Sequence, residues 1–536
     1  MSSPWDIVRA ADVAATASSD FQLPAEKVEE YRIEAVEHEV NQAVLRLALV
    51  ILVQGLSVAA FAIDGNIIGT MPALPAFRAY FDVETSGSRV AIVIAAMSIG
   101  NCVASLFQWV SDLIGRRGTA FLGNCILIVG CVLQAATPNH AALTAGRSIA
   151  GAGCSLSATV GPIYMSEIAP SAYRGLAVGL YCSIYSIGAI VIAVVLLGGS
   201  YIAGDWSWRM PMLFQLAPPV LVALLIYPLT PESPRYLVSK GRIESTKKVI
   251  AKYHTTSESV DDPFVTATIK QIQDSLETVE TKAWDFTTLW STKAARYRLF
   301  VIFIYAFYQQ CNGTCLLNYY LPRILELIGI TKTTDQLAIN LGMTVASYIS
   351  TVIGATIVDH VTRRFLLLTT LAVFIFFLSL MSLTGGLFEQ GIAMKAMGIL
   401  SIVLIYLFQI SNGLLSSTLH NVYPNEVLHY SQRAKWMGMY SFFQNALGFA
   451  MTYGVGELLK IITWKIYFVF IGINFLCLYL TWQFFPEFCF LSLEEIDHVF
   501  ETPGLHPVKI SKRLQVAKLQ KKRDYKEREA GIQTQS

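Results

Sequence analysis

Two residues of opposite charge stand alone in long apolar runs. Asp64 is the only charged residue between positions 47 and 77, in LALVILVQGLSVAAFAIDGNIIG, and Arg147 is the only one between 141 and 166. A carboxylate can take up and release a proton, whereas a guanidinium holds its charge throughout. A charge in lipid costs several kcal/mol unless it faces a protein interior and finds a partner there. Asp64 and Arg147 are therefore expected to face one interior cavity and to sense each other. Burial favours the protonated acid and a nearby guanidinium favours the carboxylate, so a change in their separation would switch Asp64 between holding and releasing a proton. The plainer alternatives are a static brace between two helices, or charges near span ends that reach back to water. The second suits Arg147, just after TPNHAALTAG, better than the short Asp64.

Other chemistry is sparse. No nucleophile–base set, metal cluster or phosphate-binding glycine loop is apparent, so an enzyme is not expected and no cofactor or metal is implied. The nine cysteines include no CxxC pair, which argues against a disulfide scaffold or a zinc site. Cys311 and Cys315, four apart, are expected to share a helix face as small packing residues. The NGT sequon at Asn312 falls inside an apolar run, out of reach of glycosylation. GAGCSLSATVG, 151–161, is glycine-rich, and small residues within a span allow close helix packing.

These residues need a scaffold, and the composition says which. The chain has 536 residues, 54% hydrophobic and 15% charged, with mean hydropathy +0.50. So apolar a chain implies an integral membrane protein in contact with the lipid bilayer. A net charge of +2 gives no bulk affinity for nucleic acid. A helix needs about 20 residues to cross the hydrocarbon core. Ten stretches of at least 21 residues carry no Asp, Glu, Lys or Arg: 90–111, 118–139, 175–204, 210–231, 299–322, 336–358, 365–388, 396–425, 436–456 and 466–486. With the two singly charged stretches, twelve spans are expected.

The pattern repeats. SDLIGRRG (111–118) recurs as VDHVTRRF (358–365), and SEIAPSAYRGLAVGLY (166–181) as NEVLHYSQRAKWMGMY (425–440). PESPR (231–235) has a weaker echo in PEFCF (486–490). The reading is an all-α membrane protein of two six-helix halves, 45–235 and 298–487. A polar cytosolic linker with short helices (236–297) joins them, with an acidic N-terminal arm (1–44) and a basic tail (488–536). Two parallel halves are the layout of a transporter with its site between them. Arg116, Arg117, Arg174, Arg363, Arg364, Arg433 and Lys435 load one side with positive charge, which makes it, and both termini, cytoplasmic. No cleavable signal peptide is read, and the tail is expected either to rest on anionic headgroups or to be simply solvated.

In combination these motifs resemble the sugar porters of the major facilitator superfamily, over about Leu45 to Glu501. They are DLIGRR, GRSIAGAG, SEIAPSAYRG, WRMPMLFQLAP, PESPRYLVSKGR and QQCNG…NYYLP. IAKYH, DDPFV, YYLPRILELIGIT, RAKWMGMYSFFQNALG and WKIYFVFI resemble its fungal lactose-permease-like branch. The resemblance implies the twelve-helix major facilitator fold and a functional monomer, expected in the plasma membrane, that carries a sugar by alternating access, driven by protons. It assigns proton coupling to Asp64 and Arg147. It assigns sugar contacts to Gln309, Gln310 and Gln444, with Phe61 and Tyr319 as aromatic groups, and an outer gate to Tyr319 and Tyr320. It also implies a cytoplasmic gate of Asp112, Arg116, Arg117, Glu167, Arg174, Glu232 and Arg235 in the first half. Asp359, Arg363, Arg364, Glu426, Arg433 and Glu487 would serve the second.

The pocket departs from the family in places. Cys182 and Cys315 stand where the family has amides, Asn421 (beside His420) and Asn445 where it has tryptophans, and Ser417-Thr418 replaces a Gly-Pro. A disaccharide or related glycoside is the expected cargo. A transporter-like sugar sensor, or a carrier of a non-sugar metabolite permitted by the two cysteines, is the alternative.

Overall fold

The computed structural model describes residues 42–170, 174–254, 259–277, 288–357, 361–391, 394–417, 419–427, 433–488, 496, 499–500 and 507–515. Among the described residues there are twelve long helical segments: α1 (Gln42–Thr70), α2 (Ser88–Ser105), α3 (Arg116–Ala135), α4 (His140–Ile168), α5 (Arg174–Gly199) and α6 (Trp206–Leu229), then α7 (Lys293–Cys311, continued by Thr314–Tyr319 and Leu321–Leu327), α8 (Thr333–Ile357), α9 (Arg363–Glu389), α10 (Met394–Ser411, with Asn412–Ser417 and Leu419–Val427), α11 (Arg433–Ile462) and α12 (Ile466–Phe484). Among the described residues nine stretches are both long and apolar enough to cross a membrane. One of these, Trp436–Phe484, holds both α11 and α12 around a one-turn break. The two helices outside that set explain themselves: α4 is diluted by glycine and hydroxyl residues, and α7 is broken twice.

The break in α7 is local chemistry. Gly313 adopts φ +100, which an L side chain rarely does. Asn312 Oδ1 then accepts from Thr314 N at 3.0 Å and Thr314 Oγ1 at 2.7 Å, capping the next turn. Cys311 and Cys315 therefore do not share one continuous helix face, contrary to their spacing, although both are buried. Asn474 of α12 braces the break, donating to Asn312 O at 3.1 Å.

In the first half α4 is the hub. A Cβ on Gly151 would stand 2.2 Å from Met97 O of α2, and one on Gly153 would stand 2.4 Å from Leu127 N of α3. The glycines let both neighbours approach to backbone contact, as their motif implied. In the linker, helices Pro234–Ser239, Ile243–His254 and Pro263–Glu277 pack together, and His254 Nε2 pairs with Ile168 O at the end of α4 (2.9 Å).

The two halves carry the same fastening on the face that holds the arginine pairs, called here the basic face. Glu232, just past α6, accepts from the backbone N–H of Arg116 (2.9 Å) and Arg117 (3.2 Å) at the start of α3. Glu487, just past α12, accepts from the N–H of Arg363 (3.0 Å) and Arg364 (2.9 Å) at the start of α9. Each carboxylate satisfies orphan donors at the positive end of a helix. Around Glu232, Arg116 also binds Asp112 (2.8 Å) and Glu167 (3.1 Å), and Ser233 donates a short bond to Glu167. Arg117 donates to Thr230 O and lies over the Tyr227 ring. These bonds tie helices of one half to each other. Arg235 is half-buried at the start of the linker. Asp359 lies outside the described residues, as do the side chains of Arg174, Asn421, Glu426 and Arg433.

On the opposite face the halves are clasped together. Glu326 of α7 takes Thr85 Oγ1 at 2.7 Å and Arg78 Nη1 at 3.4 Å from the first half, with Arg323 Nη1 of its own helix at 3.3 Å. Lys460 of α11 meets Glu84 at 3.1 Å, Gly87 N donates to Gly456 O at 3.1 Å, and Thr333 Oγ1 to Ala73 O at 3.1 Å. The short helix Pro75–Phe81 presents Arg78 because Trp208 pins its rings, with centroids 6.0 Å from Phe77 and 5.3 Å from Phe81.

Two outcomes follow from this packing. Gly151→Val should cost about 1–3 kcal/mol through overpacking, read as earlier thermal unfolding in detergent; an unchanged midpoint would mean that α2 and α4 have room to part. Glu326→Gln should speed labelling of Cys182 by a membrane-impermeant thiol reagent supplied only on the clasped face of sealed vesicles, followed by peptide mass mapping. Equal rates in mutant and parent would show that the clasp does not hold that face shut.

Candidate functional site

The Asp64 carboxylate and the Arg147 guanidinium form a buried ion pair. Arg147 Nη1 lies 2.8 Å from Asp64 Oδ1 and donates to Asp64 O at 2.7 Å, with both side chains 1% exposed. Arg147 Nη2 points at Met97 Sδ, 3.6 Å away. Gln134 of α3 completes the group, donating through Nε2 to Asp64 Oδ1 at 3.3 Å. One oxygen, Asp64 Oδ2, is buried with no hydrogen-bond partner among the described groups, as are Arg147 Nε and Gln134 Oε1. A buried acceptor left without a partner is costly.

The aromatic groups stand beside this pair. Phe61, three residues before Asp64 on α1, meets Tyr185 of α5 edge to face, with centroids 6.0 Å apart. Tyr319 is half-buried on the short helix after Gly313. The two tyrosines expected to act as a pair separate here. Tyr320 is 1% exposed and donates to Thr452 O of α11 at 2.7 Å, so it fastens α7 to α11 while Tyr319 stays reachable. Cys182 is exposed one turn from Tyr185 on the same side of α5, whereas Cys315 is buried in the apolar core with Leu316 and Tyr320.

The amides gather in the second half. Gln309 Nε2 donates to Tyr305 Oη at 2.8 Å, and Tyr305 Oη donates to Leu419 O of α10 at 2.7 Å. Gln444 of α11 meets His420 of α10, Nε2 to Nε2, at 3.2 Å. Asn445 Nδ2 donates to Ser441 O at 2.7 Å. Gln310 Oε1 lies against Gly448, where a Cβ would sit 3.2 Å away, so it faces α11. All four side chains are half-buried. The backbone of α10 reaches this place through a π-turn, Asn412–Ser417, and Pro424 lies inside its last helix. Such turns mark helices bent for a purpose other than spanning.

Gln134, Met97, Tyr305, Tyr185 and His420 were not singled out from the sequence as ligands or partners. A single amide or histidine in an apolar run carries no charge to mark it.

Comparison with known proteins agrees with this architecture. The family model described as "Sugar (and other) transporter" matches residues 49–500. A probable polyol transporter 6 of Arabidopsis thaliana is 27% identical over 449 residues, 79% of this chain and 88% of that protein. Myo-inositol transporter 2 of Schizosaccharomyces pombe is 25% identical, covering 86% of this chain and 82% of that one. Among solved structures, the inward-open conformation of the xylose transporter XylE from E. coli superposes with TM-score 0.69 at 18% identity, over 85% of this chain and all of that one. That likeness carries the fold, a twelve-helix major facilitator arrangement. With the family model spanning most of its length, this chain belongs to the sugar transporter family and is a multi-pass membrane carrier, not an enzyme.

Proposed function

We propose that this protein is a proton symporter that moves a sugar, a disaccharide or related glycoside, by alternating access. It would act as a monomer in the plasma membrane, with the basic face and both termini in the cytoplasm. The observation that carries the coupling is the buried Asp64–Arg147 pair with Oδ2 open. While the pair holds, Asp64 has no need of a proton. When helices α1 and α4 shift apart, the carboxylate loses its counter-charge in a dry setting and is neutralised by a proton instead. Solute bound near Phe61 and Tyr319 that favours one of these arrangements links cargo to proton.

For the cargo, Gln309, Gln310, Gln444 and Asn445 form the reader. Amides offer both donors and acceptors for hydroxyl groups. The bonds clasping the face opposite the basic one describe a carrier closed on that side, and within the cycle they part as the basic face closes. The bonds of Glu232 and Glu487 then hold the last helix of each half to its third as the halves rock. A second reading keeps the mechanism and changes the cargo to a polyol or inositol. It is favoured by the relatives whose names describe those solutes.

The deciding experiment is uptake into vesicles of labelled D-glucose, D-xylose, D-mannitol, myo-inositol, lactose and cellobiose, with and without a pH gradient. Accumulation of lactose or cellobiose supports the first reading and accumulation of mannitol or inositol the second; no gradient-driven accumulation of any would overturn the symport proposal.

Asp64→Asn mimics the protonated acid. Accumulation should fall to simple equilibration while exchange of solute across the membrane continues. A mutant that still concentrates solute, and still alkalinises the outer medium as it does so, removes Asp64 from the coupling role. Gln310→Ala should raise KM by about two- to tenfold, the value of one hydrogen bond, with normal delivery to the membrane. An unchanged KM would take Gln310 out of the pocket.

A further inference from the structure

The amide groups of the second half share a pattern that the family assignment does not state. The nitrogen of Gln309 is committed to Tyr305 Oη, that of Asn445 to Ser441 O, and that of Gln444 to the His420 ring. Their carbonyl oxygens accept no bond from the protein among the described residues. For Gln309 and Asn445 the acceptor is a neighbour on the same helix, one turn away. For Gln444 it is a side chain of another helix.

In this structure the Gln444 amide turns its nitrogen, not its oxygen, to the His420 ring. An amide nitrogen only donates, so with Nε2 facing Nε2 the ring nitrogen must accept. In that arrangement the ring's proton sits on Nδ1. The backbone that carries the ring is held from behind: Tyr440 Oη donates to His420 O at 3.4 Å, and Tyr305 Oη to the neighbouring Leu419 O at 2.7 Å. Whichever amide atom turns to the ring is the one not offered to the solute. The geometry points to His420 as a specificity-determining positioning residue: by accepting from Gln444 it fixes the amide with Oε1 free, so that the site presents carbonyl acceptors and selects a neutral solute whose hydroxyl donates at that position.

This inference rests on the reading of Gln444 as a solute ligand. It deepens that reading, because it names what the ligand requires of its cargo. A fluorine in place of the read hydroxyl cannot donate, and a carboxylate or phosphate would place an anion against carbonyl oxygens. Deoxyfluoro analogues of the solute should therefore bind poorly at one ring position in the parent protein.

The test uses the full-length carrier in vesicles and the solute of the uptake panel that it takes up fastest, with its monodeoxyfluoro analogues as competitors. His420→Phe keeps the volume of a ring and removes the acceptor, freeing the Gln444 amide to turn. Discrimination between hydroxyl and fluorine at one position should fall about three- to tenfold, one hydrogen bond's worth. His420→Gln, which restores an acceptor, should keep the parent's discrimination. In a Gln444→Ala background His420→Phe should add nothing. Should His420→Phe fail to reach the membrane, His420→Leu serves in its place.

Retained discrimination in both Phe and Leu variants would overturn the inference. So would a His420→Phe effect that persists undiminished without the Gln444 amide. If Gln444→Ala itself leaves KM unchanged, the ligand assignment of Gln444 is what has failed, and the role of His420 falls with it. If Gln444→Ala raises KM while His420→Phe changes nothing, the ligand assignment stands and only the inference about His420 is lost.

Discussion

An isolated charge cannot stay in the middle of a membrane protein, and much of the first half answers that constraint. Separating Asp64 from Arg147 without a substitute would leave two uncompensated charges, at a cost of about 3–5 kcal/mol for a buried pair that loses a partner. The pair exists because α4 comes within backbone contact of α2 and α3, and Gly151 and Gly153 are what allow that approach. The same closeness brings Gln134 to Asp64 and Met97 to Arg147. Packing of small residues and tolerance of a buried charge are thus one feature seen at two scales.

A second constraint acts at the basic face. Helices α3 and α9 each begin with two arginines, and in both the backbone N–H groups of those arginines are closed by one glutamate from the end of the half. The two glutamates lie 255 positions apart. Each joins the last helix of its half to the third. The guanidinium groups are left to bind outward, Arg116 to Asp112 and Glu167, and Arg364 to Trp482 O. Because the bonds run within a half, they tie its third helix to its last and do not oppose movement of one half against the other.

Much of this was legible in the sequence. Charge counting along apolar runs found Asp64 and Arg147, since a lone charge in a span is rare and conspicuous. Internal repetition paired Glu232 with Glu487 even where the surrounding PESPR and PEFCF differ. Legibility ended where partners are far apart in sequence and chemically quiet. Gln134 and His420 are neutral, so nothing in composition sets them apart from packing residues. The Glu326 clasp joins positions 248 and 241 residues apart in two different halves, both in short connections that carry no repeat. The assumption of one helix through Cys311 and Cys315 failed for a different reason, because Gly313 and the Asn312 cap outweigh the apolar run around them. Tyr319 and Tyr320 are adjacent in sequence, yet one is half-buried and the other fully buried and bonded to Thr452.

The ion pair and its supporting groups lie entirely on α1 to α4, whereas the amides and their holders lie on α7, α10 and α11. On the proposed assignment the proton-coupling group would belong to the first half and the amide reader to the second, with Phe61 the aromatic contact from the first half. Substitutions among the amides of the second half would then alter the reader without touching the groups that hold Asp64. Under that assignment a change of solute is reached through α7, α10 and α11 while the charge pair and its holders stay as they are.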